Sequence, residues 1–102
     1  MIKLHISSND LIQIEEIIIF LLKEKLVLDV NLEKEIARVI VNSDKINYTK
    51  QYLVTAKTKS TLFNDIEIFL QEIYGDNMPE LYSLPSVNMK WSQKQILVDS
   101  LK

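Results

Sequence analysis

The sequence predicts an α+β fold with the element order β-α-β-β-α-β-α. Three observations predict it. Apolar and polar residues alternate with period two over 2–7, over 26–41 and again over 46–58. Two other stretches, 11–25 and 60–73, carry apolar residues at helical spacing. The turn-forming quartet Asn42-Ser43-Asp44-Lys45 separates two alternating runs and closes them into a long hairpin.

The first strand rests on Ile2, Leu4 and Ile6 alternating with Lys3, His5 and Ser7. Ser8-Asn9-Asp10 then offers helix caps. With Asp10 as N-cap, Gln13 falls at the third helical position, a loose capping box. The first helix runs from Leu11 to about Lys25. Its isoleucines have high strand propensity. Leu11, Ile14, Ile18, Leu21 and Leu22 nonetheless keep helical spacing, with Glu15, Glu16, Lys23 and Glu24 on the polar side. The early acids and late lysines suit the helix dipole.

Leu26, Leu28, Val30 and Leu32 open the second strand, and Ile36, Arg38 and Ile40 resume its alternation. The interruption predicts a bulge near 33–35. Residues 46–58 return as the third strand. Ser60 is the expected cap of the second helix, whose stripe is Leu62, Ile66, Phe69, Leu70 and Ile73. Gly75 stands where a helix-ending glycine belongs. Residues 78–87 make the fourth strand, with Pro79 and Pro85 marking its ends or an edge. Ser92 and Gln95 form a capping box for a short C-terminal helix, with Trp91 and Ile96 at the staple positions. The first six elements are the ferredoxin-like βαββαβ arrangement, an antiparallel sheet with helices on one face. Residues 1–102 are expected to form one domain.

Composition removes several function classes. Net charge is −2 and no basic stripe exists, which argues against nucleic acid as the partner. Cysteine is absent, so disulfides, thiolate nucleophiles and thiolate metal sites go together. Gly75 is the only glycine, which excludes a phosphate-cradling P-loop or dinucleotide fingerprint. The N-terminus has no signal-peptide shape, and the longest apolar run, Ile17–Leu22, is far short of the roughly 20 residues that span a bilayer. A cytoplasmic chain with no membrane contact is the expectation.

Four pieces stand in order on the second half: Lys57-Thr58 at a strand end, Pro79-Glu80 opening the last strand, Leu84-Pro85 within it, and Trp91 before the final helix. This order resembles the CutA family of divalent-ion (copper) tolerance proteins. The chain looks like a divergent member. It has Ser7-Ser8-Asn9 where the family carries a Thr-x-Pro-like turn, and Leu28-Asp29-Val30 where the family carries a cysteine. Its hairpin keeps only Lys45 of the family's Ser-x-Tyr-x-Trp and Gly-Lys, and Tyr74-Gly75-Asp76 replaces His-Pro-Tyr. The resemblance implies the fold and a homotrimer whose sheets face inward, with the long hairpin reaching a neighbour. Copper binding does not carry over, because the residues it would need are missing.

The candidate sites follow. His5 is the only histidine; it reads as an interface residue, or as a metal ligand if three copies meet on a threefold axis. Lys57 reads as half of an ion pair with Asp29 or Glu80, or as an anion-binding lysine in an inter-subunit cleft. Tyr82 and Trp91 are anchors or ligand-stacking rings. The proposed ligand-binding set is Lys57, Thr58, Glu80, Tyr82 and Trp91. Asp65, Asp76 and Glu80 lack the close spacing of a calcium loop. Asp29, Glu33 and Glu35 lack a substrate pocket to serve as acid and base. No catalytic residue and no cofactor is expected. The function read from this is a non-enzymatic, CutA-like homotrimer linked to divalent-cation tolerance or signalling. The alternative is a PII-like trimeric sensor of a small anion. A weak hydrolase would need a base beside a nucleophile, and His5 has no evident partner.

Overall fold

The computed structural model describes residues 1–85, Asp99 and Leu101. The elements are β1 (Ile2–Ser8), α1 (Leu11–Lys23), β2 (Leu28–Asn42), β3 (Lys45–Thr58), α2 (Ser60–Tyr74), a 3-10 turn (Gly75–Asn77) and β4 (Glu80–Pro85). The sheet order is β2-β3-β1-β4, every pair antiparallel. This is the expected βαββαβ fold.

Alternation sorts the sheet into two faces. Leu4 and Ile6 of β1 and Val54 and Ala56 of β3 point to one side and are buried. Against them pack Ile14, Ile17 and Leu21 of α1 and Leu62, Ile66 and Leu70 of α2. Both helices therefore cover one face. Full burial of each such side chain stabilises by about 1.5–3 kcal/mol. Lys3, His5 and Ser7 of β1 and Leu53, Thr55 and Lys57 of β3 occupy the other, open face.

Local chemistry sets the element ends. The Asp10 carboxylate accepts the N–H groups of Ile12 and Gln13 at 3.0 and 3.3 Å, capping α1 as expected. The C-terminus of α1 is closed by a paired hydrogen-bond motif. Leu26 N–H donates to the Leu21 carbonyl and Lys25 N–H to that of Leu22, with Lys25 left-handed at φ 55°. Leu26 is thereby pulled into the core beside Leu21. The expectation that β2 starts at Leu26 is corrected: Leu26 and Val27 are the buried connection, and β2 begins at Leu28.

The expected bulge is present, as a register shift between Glu33 and Ile36; a second lies between Leu28 and Asn31, where Asp29 has φ 56°. Asn42 pairs with Lys45, enclosing Ser43 and Asp44, both left-handed, in a two-residue hairpin turn.

Four further expectations change. The inward strip of α1 is Gln13, Ile14, Ile17 and Leu21, whereas Leu22 is exposed. The run Ile17–Leu22 is apolar on every side, so spacing alone does not choose its inner face. Ser60 does not cap α2. Thr58 still pairs with Ile2, so Lys59 alone spans strand and helix and occupies the cap position. Phe69 and Ile73 are exposed, so the buried stripe of α2 is Leu62, Ile66 and Leu70. Gly75 ends α2 with φ 55°, the left-handed conformation a glycine tolerates. β4 starts at Glu80 rather than Met78, after the 3-10 turn and Pro79. The expected short C-terminal helix, with Trp91, Ser92, Gln95 and Ile96, lies outside the described residues.

The β2–β3 hairpin outruns the helices. The chain measures 48 × 30 × 20 Å, with a radius of gyration of 14.8 Å. About 13 Å is usual for a compact domain of this length. Beyond Ile36 and Gln51 the hairpin is an arm with little tertiary cover.

Candidate functional site: the open sheet face and the arm

On the open face, β4 brings Tyr82 beside His5 and Glu80 beside Ser7. The Tyr82 ring stacks on the His5 ring, centroids 4.9 Å apart and planes 23° from parallel. Both His5 ring nitrogens are buried and have no hydrogen-bond partner among the described residues. A neutral imidazole carries one donor and one acceptor. Leaving both unmet costs about 1–3 kcal/mol per group. Burial, and then the Lys3 ammonium, hold the His5 pKa below its ordinary value. His5 is thus a neutral, unsatisfied ring in the middle of this face.

Arg38 and Glu80 sit on opposite edge strands, yet their side chains meet at 2.6 Å across the open face. Ser7 Oγ donates to the same carboxylate at 3.1 Å. The Arg38 hydrogen bond is the main reason the Glu80 pKa lies below its ordinary value; Ser7 adds to it and partial burial opposes it. A small hollow of about 190 Å³ lies here, lined by Ser7, Ile36, Arg38, Gln51, Leu53 and Tyr82. At the far end of the face Lys57 pairs with Asp29 at 3.6 Å. Both pairs are partly exposed, so each contributes at most about 1 kcal/mol.

The predicted ligand-binding residues do not converge within one chain. Lys57 lies opposite Lys3 and Glu80 opposite Ser7, four residues apart on β1. That is roughly 13 Å along a strand. Tyr82 lies between them. Thr58 points the other way. It is fully buried, and its hydroxyl donates to the Leu26 carbonyl at 2.6 Å, clipping β3 to the end of α1. Trp91 lies outside the described residues.

A wider cleft of about 580 Å³ opens at the N-terminal end of α1. Its wall is a polar relay. Asp10 N–H donates to Ser8 Oγ, which donates to Gln13 Oε1 at 2.6 Å, and Gln13 Nε2 donates to the Asn77 carbonyl at 2.6 Å. The Tyr74 hydroxyl donates to Glu16 at 3.0 Å. Its pKa is pushed up to about 12, first by burial and then by the Glu16 hydrogen bond and charge. Sequence reasoning passed over Arg38, Ser7, Gln13 and Tyr74. The one available signal was Gln13, a polar residue in register with the buried Ile17 and Leu21.

Among the described residues no group of three His, Cys, Asp or Glu is placed to hold a metal ion. Glu80 is engaged by Arg38 and Ser7, Asp29 faces Lys57, and Glu16 accepts from Tyr74. The described donors of one chain therefore do not by themselves fit a resident divalent cation. Nor is any helix long and apolar enough to cross a membrane among those residues.

The arm presents the other unusual surface. Val39 pairs with Tyr48 and Val41 with Ile46, so all four share one side of the ribbon. By alternation along β3 it is the side that carries Val54 and Ala56 in the core. Here all four are exposed, Val41 and Tyr48 each to 73%. A bare apolar quartet on a two-stranded ribbon marks an interaction surface.

Comparison with known proteins places these features in a family. Solved structures with the same fold include CutA1 from Pyrococcus horikoshii, at TM-score 0.83 and 20% identity over 100% of this chain and 99% of that one. CutA1 from Oryza sativa matches at TM-score 0.84 and 19% identity, over 99% of this chain and 93% of that one. The divalent cation tolerance protein from Thermus thermophilus matches at 0.83 and 16%, over the whole of both chains. No curated protein matches the sequence. Nothing in these comparisons favours the PII-like alternative. The family model of the CutA1 divalent ion tolerance protein matches residues 3–95, and the chain belongs to that family.

Proposed function

We propose that this protein is a non-enzymatic homotrimer acting in divalent-cation tolerance or signalling in the cytoplasm. The single observation that carries the assembly is the arm, with Val39, Val41, Ile46 and Tyr48 bare on one side. The arm has a complement on the same chain. The cleft between α2 and β4 has an apolar floor of Ile68, Met78, Pro79 and Leu81 and a rim of Glu67 and Glu72. Lys50, on the quartet's side of the ribbon, carries the opposite charge. Seating one copy's arm in the next copy's cleft buries the quartet and pairs the charges. Repeated head to tail, the contact closes a ring.

The open face supports the same reading. It carries buried nitrogens at His5 that have no partner among the described residues. A neighbouring subunit would supply their partners. Lys57, Glu80 and Tyr82 would then line clefts between subunits, where a small anion or a divalent cation is held by groups from two chains. Thr58 contributes by fixing the strand that bears Lys57.

Light scattering with and without EDTA tests the assembly. The chain has a mass of 11.9 kDa. A chelator-resistant species near ~36 kDa is expected for three copies; a monomer contradicts the proposal, and dissociation by EDTA moves a metal into the assembly itself. Growth on graded copper and zinc, in a host stripped of its own CutA1, tests the role. Expression should restore tolerance, and no difference from an empty vector would contradict it.

A further inference from the structure

The helix layer turns apolar side chains outward as well as inward. Ile12, Ile19 and Ile73 are 70%, 64% and 55% exposed, and Phe69 is exposed as well. Helical spacing puts Ile12, Glu16 and Ile19 on one strip of α1 and Asp65, Phe69, Glu72 and Ile73 on one strip of α2. Two contacts lay the strips side by side. Phe69 meets Phe20 edge-on at 5.8 Å, and the Tyr74 hydroxyl reaches Glu16. The two contacts run in opposite senses along the helices, so α1 and α2 are antiparallel and flank one shared groove. Single exposed apolar residues are ordinary, but a contiguous set along a groove marks a docking surface.

Charge selects the occupant. The strips that flank the groove carry Glu16, Asp65 and Glu72 against Lys23 alone. A second copy offering the same surface would set carboxylates against carboxylates. An anionic lipid surface is repelled in the same way. We propose that the α1–α2 groove docks a basic amphipathic helix of a partner protein. Its apolar side lies on Ile12, Ile19, Phe69 and Ile73, and its lysines and arginines meet Glu16 and Asp65. Among the described residues a trimer with inward sheets leaves this outer groove uncovered, so the docking goes beyond the assembly and does not depend on it.

The test uses the full chain and a fluorescein-labelled leucine–lysine peptide of about 14 residues, patterned as an amphipathic helix. A peptide of identical composition but scrambled pattern is the control. Anisotropy should show the patterned peptide binding at least ~10-fold tighter than the scrambled one, and more weakly as salt rises. The I19S/I73S double variant changes two exposed side chains, and circular dichroism should report an unchanged fold. It should lose at least ~10-fold in affinity. Equal binding of both peptides, no binding of either, or an unchanged double variant would overturn the proposal. A lower native mass of I19S/I73S would assign the groove to a second copy, and loss of binding to anionic vesicles in that variant would assign it to lipid; either also overturns it.

Discussion

The two ends of the β2–β3 hairpin follow one sequence rule and meet opposite fates. At the inner end, alternate residues of β3, Val54, Ala56 and Thr58, are sealed beneath the helices. At the outer end the same alternation continues through Tyr48 and Ile46, and both are exposed. Period two says which side of a strand is apolar. It does not say what covers that side. Inside, the cover is α1 and α2. Outside, nothing among the described residues reaches, and the proposed cover is another subunit.

The inner end should be the more sensitive to single truncations. Ile66 is fully buried among β1, β3 and the helices. Ile66→Ala should cost about 2–5 kcal/mol, read from urea denaturation at fixed protein concentration. A cost under about 1 kcal/mol would mean that the inner core is not the stability centre.

Thr58→Val sharpens the same comparison at the junction of β3 and α1. It keeps the shape and strands the buried Leu26 carbonyl, which now accepts from Thr58 at 2.6 Å. The expected loss is about 1–3 kcal/mol. No loss would show that the clip is dispensable and that packing of Leu26 alone holds the connection.

Glu80, where the inner end gives way to the arm, should give a smaller, pH-dependent effect. Its pKa is lowered in the folded chain, chiefly by Arg38. The pair therefore adds stability above the ordinary glutamate pKa and loses it as pH falls through the folded value. Glu80→Gln should reduce stability at neutral pH by at most about 1 kcal/mol, because both side chains are half exposed. The difference from the native chain should vanish in acid. A difference independent of pH would mean that the Arg38 contact is not electrostatic.

These contrasts show how far the sequence could be read. The strands were legible because alternation, the Asn42–Lys45 turn and the interrupted register at Glu33 each leave a local mark. The inner face of α1 was not, because Ile17–Leu22 offers an apolar residue in every direction and only packing chooses. Ser60 misled because its cap chemistry was sound but the pairing of Thr58 with Ile2 left it no room. The site was less legible than the fold. Arg38 and Glu80 lie 42 residues apart on opposite edges of the sheet, and no spacing rule links them. Lys57 and Asp29 were legible as partners, but the separation of Lys57 from Glu80 follows from strand register alone.

Amide hydrogen exchange, measured on the native protein residue by residue, tests the central claim most directly. A free two-stranded ribbon is marginally stable at best. If another subunit covers the arm, the ladder amides of Arg38, Ile40, Asn47 and Thr49, in the hydrogen-bonded pairs that alternate with the quartet, should be protected to within about 1–2 kcal/mol of Val54 and Ala56. An arm that exchanges orders of magnitude faster than the core at all protein concentrations would show that nothing covers it, and would contradict the account.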